Sequence, residues 1–342
     1  MRGQGVQVAV KHLVGLAGAA LALAVAAPPA AAQYATRPAI VYGTGGKADK
    51  SFNEAANLGV RRYARAMGVD VAEFEPADDA LFEMAQRQYA AGGYDPIVVI
   101  GFPQAAALAR VAKEFPRSRF TIIDAKVDLP NVRSVLFREQ ESSYLVGMAA
   151  ALASKSGKVG FVGGMDSPLM RRFLCGYEQG ARAARAGVEV IGDMAGTTPA
   201  AWNDPAAGTR LAQAQFARGV DVIYAAAGTT GLAVLQAAQA RGKLAIGSAN
   251  KGFSDPGTLL TSTAKRVDAA VFQALISVAQ GRWRSGEFTV GLAEGALDWA
   301  PEDYNKKLIT KDMWDRIDAA RAAIVSGRIR VHDFAATNSC PR

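Results

Sequence analysis

Cysteine is nearly absent: the chain has two in 342 residues, Cys175 and Cys340. Two such distant residues do not make the dense disulfide framework of a small secreted domain. Cys175 falls in the amphipathic stretch RRFLCGYEQGA and reads there as a buried free thiol, with a bridge to Cys340 as the alternative. Histidine is as scarce, with only His12 and His332. That excludes a histidine metal site and a Ser-His-Asp triad. The formal net charge is +8, but the charges are interspersed and no basic run is long enough to suggest a nucleic-acid partner. Long apolar runs are missing except at the start. Arg2 and Lys11, an apolar stretch from Leu13 to Ala27 and the small residues Ala30, Ala31 and Ala32 read as a signal peptide over residues 1–32. That stretch is short for a membrane span and no second one follows. No cysteine lies near the cleavage point, so a lipid anchor is not expected. The expectation is an exported, periplasmic protein of net charge +6 that begins at Gln33.

What is there is a rhythm. AIVYG reads as a buried strand, SFNEAANLGVRRYARAM as a helix, then VDVAEFE, DDALFEMAQRQYAAG, PIVVIG, AAALARVAKEF and RFTIID as alternating strands and helices. The pattern restarts after VRSVLFREQE with SSYLVGMAAALASK as a helix and continues through KVGFVGG, LMRRFLCGYEQGARAARA, EVIGDM, PAAGTRLAQAQFARG, VDVIYAAAG, GLAVLQAAQARG and LAIGSA. The tail adds a helix over TAKRVDAAVFQALISVAQGRW, another over KDMWDRIDAARAAIVSG and a late strand over IRVHDF. Such alternation predicts an α/β protein with two Rossmann-like lobes, each a parallel sheet covered by helices. Ligands of such sheets bind beyond the carboxyl ends of the strands. The informative residues should follow each strand: 43–53, 101–104, 124–126, 163–167, 228–231 and 248–252.

The first of these segments, GTGGKADKSFN, tests a cofactor reading. Gly46-Lys47 is followed by Ala48, so the spacing of a phosphate loop fails. Gly43, Gly45 and Ala48 do fit G-x-G-x-x-A, with Glu73 or Glu75 further on, but a lone match is weak, and free nicotinamide cofactors are chiefly cytosolic. No general acid–base set stands out elsewhere. Neither enzyme chemistry nor a cofactor or metal is therefore expected. The glycines alone account for a sharp turn between strand and helix. They leave Phe52 unexplained, an aromatic at the start of a helix at the presumed cleft, beside Ser51 and Asn53. It is either a core residue or a platform for a planar ligand.

GGKADKSFNEAA resembles the G-x-x-D-D-K-S-F-N motif that opens the basic membrane protein (PnrA-like) family of ABC transporter substrate-binding proteins. The likeness continues in order through VVIGFPQAAALARVAKEFPRSRFTIID, NVRSVLFREQESSYLVGMAAALASKSGKVGFVGGMDSPLMRRFLCGYEQGARAA, WNDPAAGTRLAQAQFARGVDVIYAAAGTTGLAVLQAA, LLTSTAKRVDAAV and GRIRV. The resemblance implies the type I periplasmic-binding fold, with a hinge between the lobes and the ligand in the cleft. The implied N-terminal lobe covers 33–136 and about 251–290; the C-terminal lobe covers 137–250 and about 305–334. It also implies a monomer that delivers a small molecule to an inner-membrane ABC permease. Members that bind purine nucleosides clamp the base between one aromatic per lobe, which match Phe52 and, in WNDP, Trp202. Lys265 matches a lysine that donates to ligand oxygens, Asn53 and Ser51 supply polar contacts, and Gly228 lets the backbone approach. Asp49 and Lys251 are further candidates.

Three positions depart from the nucleoside-binding pattern. Gly43, about Ala106 and Ala249 stand where such members carry an acid. Ligand donors left unpaired there would cost roughly 1–3 kcal/mol each. The expected ligand is a purine nucleoside or base, with a ligand of fewer donors or of negative charge, such as a flavin-like or urate-like heterocycle, as the alternative. A ligand-sensing partner of a membrane signalling protein is the alternative role.

Overall fold

The computed structural model describes residues 36–248, 257–300 and 307–341. The proposed signal peptide, Ala249 and Lys251 lie outside them. Residues 35–342 form one compact unit. No helix among the described residues is long and apolar enough to cross a membrane.

Two six-stranded sheets organise the chain. The first contains β1 (Ala39–Val41), β2 (Ala72–Phe74), β3 (Ile97–Ile100), β4 (Phe120–Ile123), β5 (Val132–Phe137) and β11 (Gly286–Val290), in the order β11-β5-β4-β3-β1-β2. The second contains β6 (Lys158–Met165), β7 (Glu189–Gly196), β8 (Val222–Ala226), β9 (Leu244–Ser248), β10 (Leu259–Lys265) and β12 (Leu297–Ala300), in the order β12-β10-β9-β8-β6-β7. All pairings are parallel except that of β10 with β12. In the first sheet Ala39 faces Ala72 on one side and Ile97 on the other. The runs AIV, IVVI, FTII and VIYAA are buried along their whole length. Helices cover both faces of such strands, so no polar alternation is needed.

Around the first sheet lie α1 (Phe52–Met67), α2 (Leu81–Ala91), α3 (Ala105–Glu114) and α8 (Val267–Ala279); around the second lie α4 (Glu139–Ala153), α5 (Pro168–Ala184), α6 (Pro205–Ala217), α7 (Gly228–Ala240) and α9 (Lys311–Val325). Short 3₁₀ turns at Phe102–Gln104 and Pro199–Asn203 follow β3 and β7, and α10 (Phe334–Thr337) ends the chain. Helix α4 is buried almost all round because it packs against α5, α9 and the second sheet. It lies so close to α5 that a Cβ at Gly180 would sit 1.9 Å from the Tyr144 carbonyl oxygen. Only glycine permits that approach.

The chain passes between the lobes at Arg138, at Arg266 and over residues 291–296. These segments are tied together: the Arg138 amide donates to Val290 (2.9 Å), the Arg266 amide to Ala296 (2.9 Å), and the Leu292 amide to the Glu141 carboxylate (2.8 Å). Four expectations change here. The return to the first lobe begins after Arg266, not at about 251, because β10 pairs with β9 and β12 in the second sheet. The second lobe resumes at β12, before 305. The helix expected from TAK onward starts at Val267, since Thr263, Ala264 and Lys265 complete the β10 ladder. IRVHDF forms no strand: residues 329–333 run as irregular chain along the second lobe and Phe334 opens α10.

The cysteine reading is also overturned. Cys175 and Cys340 form a disulfide, with Cα atoms 5.5 Å apart across 165 residues of sequence. It fixes the C-terminal tail to α5, and spacing alone could not reveal that the tail folds back there. Reducing it, or replacing both residues with serine, is expected to lower stability by about 2–4 kcal/mol, because the unfolded chain gains conformational freedom. Urea unfolding with and without a thiol reductant measures this; coincident midpoints would contradict it.

Candidate ligand-binding site

A cavity of about 870 Å³, open solvent at its mouth included, lies between the carboxyl ends of the two sheets. Phe52, Asn53, Ser51, Asp49, Trp202, Gly228 and Lys265 all line it; Lys251 lies outside the described residues. Gly43 lines it too, without a side chain. Ala106 does not, being exposed on α3.

The first-lobe rim is built around the start of α1. Asp49 accepts backbone N–H groups from Ser51 (2.8 Å), Asn53 (3.0 Å) and Glu54 (3.1 Å), satisfying donors that the first helical turn leaves orphaned. Burial pushes its carboxyl above the usual aspartate range, with the three amides opposing. Both Asp49 oxygens are thereby engaged, so its role is to hold the turn that presents Phe52. The Asn53 side chain accepts from the Gly43 amide (3.0 Å) and donates to the Gly43 carbonyl (3.4 Å). Ser51 Oγ donates to the Ser248 carbonyl (3.1 Å), a direct bond from one lobe to the other. Gln104 stands behind the rim. Fully buried, it donates to the carbonyls of Val41, Tyr42 and Ile100 and so joins the ends of β1 and β3.

Trp202 belongs to the turn Pro199–Asn203, held from behind by Thr230, whose Oγ1 donates to the Ala201 carbonyl (2.8 Å) and accepts from the Asp204 amide (2.7 Å). Its indole lies on the backbone of Gly164; a Cβ there would meet the ring at 2.4 Å. Gly228 passes beside it with φ 56°, where a Cβ would come within 3.1 Å of the Trp202 carbonyl. The first-lobe ring facing Trp202 is Phe102, edge to face with centroids 6.4 Å apart. Phe82 and Phe173 complete the aromatic lining, and Met170 and Leu169 add further apolar surface. The sequence reading placed 101–104 at the cleft without singling out Phe102, and it missed Phe173, which looks like any core position of an amphipathic helix.

Lys265 enters from the end of β10. Its ammonium donates to Asp124 Oδ2 (2.6 Å) and Glu139 Oε1 (2.8 Å), and the rings of Phe137 and Phe52 lie 4.5 and 5.4 Å away. Glu139 is 1% exposed and accepts in turn from Arg172 (3.1 Å), which also donates to Asp333 (2.8 Å) in the C-terminal tail. Burial pushes the Lys265 ammonium down, but Asp124 and Glu139 outweigh it and hold it above the ordinary lysine range. Burial pushes the Asp124 carboxyl up to about 6, with Lys265 opposing and Glu139 adding. Lysine beside two carboxylates is therefore charged at neutral pH but is not an open anion site. Among the described residues no cluster of histidine, cysteine or acidic groups could hold a metal.

Residues 39–333 match the family model of the PnrA-like ABC transporter substrate-binding proteins, Bmp. The chain belongs to this family. It is 31% identical to the CD4+ T-cell-stimulating antigen of Listeria monocytogenes, over 86% of this chain and 87% of that one. It is 30% identical to the ABC transporter nucleoside-binding protein BmpA of Lactococcus lactis, over 86% and 88%. A solute-binding protein of an ABC transporter system from Aeropyrum pernix is 32% identical and superposes with a TM-score of 0.79, covering 87% of this chain and 93% of its own. As in other members of the PnrA-like family, the fold is the type I periplasmic-binding one.

Proposed function

We propose that this PnrA-like protein is a periplasmic receptor that captures a planar heterocycle, most simply a purine nucleoside or nucleobase, and presents it to an ABC permease. One observation carries this reading: Trp202 from one lobe and Phe52 and Phe102 from the other line a single cavity, with the Trp202 face supported by Gly164. An aromatic pair of this kind binds any base through its π-face, at about 1–3 kcal/mol per stacked base. The nucleoside-binding name of the Lactococcus relative supports the same ligand class. The receptor acts as a monomer and performs no chemistry. Binding shifts it toward the closed form, in which Ser51 meets Ser248 across the cleft.

A thermal-shift screen tests this. Guanosine, inosine, adenosine, adenine, riboflavin and urate are compared with glucose and ribose. A ligand at about 100 times its Kd adds roughly 2.7 kcal/mol of stability. Stabilisation by at least one heterocycle and by neither sugar is expected. A shift with a sugar alone would overturn the reading.

A further inference from the structure

Gly43 lines the cavity without a side chain, at a position where the nucleoside-binding pattern has an acid, yet the cavity is not without a carboxylate that can accept. Two acidic side chains line it among the described residues, Asp49 and Asp124. Asp49 is consumed by three backbone amides. Asp124 is different. Its Oδ2 takes the Lys265 ammonium, while its Oδ1 is buried and has no hydrogen-bond partner. A buried carboxylate oxygen without a donor is unfavourable, and native structures rarely keep one without a use. The backbone of Asp124 is also unusual. Its φ is 68°, in the left-handed region, although its amide still donates to the Val135 carbonyl (2.9 Å). Non-glycine residues held there cluster at binding sites.

We propose that Asp124 is the specificity-determining residue of this cavity: its carboxylate accepts a hydrogen bond from the ligand, so the site takes a neutral heterocycle bearing an N–H or O–H donor and rejects an anionic one. This rests on the heterocycle-receptor reading above. The surrounding charges agree. Among the described residues the one lining cation, Lys265, is flanked by Asp124 and Glu139, and Arg172, which shares Glu139 with it, is matched by Glu139 and Asp333. Among the described residues that line the cavity, no positive charge is left over to receive a urate-like or phosphorylated ligand. The absences at Gly43 and Ala106 therefore do not point to an acidic ligand, because a carboxylate from the end of β4 supplies the acceptor.

Asp124→Asn tests the proposal, with Asp124→Gly as a second variant; asparagine and glycine both tolerate the left-handed backbone. Titration calorimetry at pH 7 compares guanosine, adenosine and riboflavin with urate, an anion at that pH. The wild type is expected to bind at least one neutral compound over tenfold tighter than urate. Both variants should lose at least tenfold for that compound and lose nothing for urate, collapsing the selectivity. A merely structural Asp124 would weaken all ligands alike or none, and either result overturns the proposal, as does wild-type preference for urate. If the wild type binds no heterocycle at all, the receptor reading itself fails and takes this proposal with it.

Discussion

Trp202→Ala is expected to weaken binding of whichever heterocycle stabilises the wild type by at least tenfold, while leaving the fold intact. The indole face is the largest flat surface in the cavity, and stacking on it is worth about 1–3 kcal/mol, or roughly 5- to 150-fold in affinity. Its support is unusually committed to this one purpose. Gly164 has no side chain because the ring occupies that space, and Gly228 adopts φ 56° beside the Trp202 backbone. The turn that carries the ring does not depend on it. Thr230 holds the turn through the Ala201 carbonyl and the Asp204 amide, and the Asp204 carboxylate caps α6 by accepting from Ala207 (2.9 Å). Calorimetry with the wild-type ligand reads the affinity, and the melting temperature without ligand reads the fold. An affinity within twofold of wild type would remove Trp202 from the site.

The second large effect is on stability. Glu139→Ala should cost about 3–5 kcal/mol, the range for removing one partner of a buried ion pair. Glu139 stands between two cations, Lys265 on Oε1 and Arg172 on Oε2. Its loss leaves Lys265, 11% exposed, with Asp124 as its one remaining charged partner, and leaves Arg172 to Asp333 and the Phe137 carbonyl. The same change at an exposed pair such as Lys311–Asp315 should cost less than about 1 kcal/mol. Urea unfolding of both variants compares them directly. Equal losses would show that burial of the network has no energetic consequence.

Much of this architecture could be read along the chain. Strands such as PIVVIG and RFTIID are apolar throughout, the helices between them carry helical spacing, and the strand-to-helix junctions gave the positions of the cleft. Phe52, Trp202 and Lys265 followed from motif resemblance, and all three line the cavity. What stayed hidden depends on contacts between distant segments. The exposed edge strand β11 (GEFTV) has little apolar character to distinguish it from a loop. LLTSTAK looked like the run-up to a helix until its ladder with β9 and β12 was visible. The Cys175–Cys340 bridge depends on the tail returning to α5. Asp124 could be read as a strand end, but its left-handed backbone and its Lys265 partner, 141 residues away in sequence, could not.

The crossing segments near Arg138 and Arg266 also set a lever arm. Lys265 is adjacent to one crossing and Glu139 to another, and Asp124 follows β4, the strand next to β5. Trp202 rests on β6, three strands from β10, or about 14 Å at the usual spacing between strands. Any rotation of one lobe about these crossings displaces a residue in proportion to its distance from them. The charged group would therefore stay nearly assembled while the aromatic walls part. An arriving ligand would meet a pre-set polar anchor near the axis and a jaw that travels, so recognition of its donor edge can precede the stacking that closes the cleft.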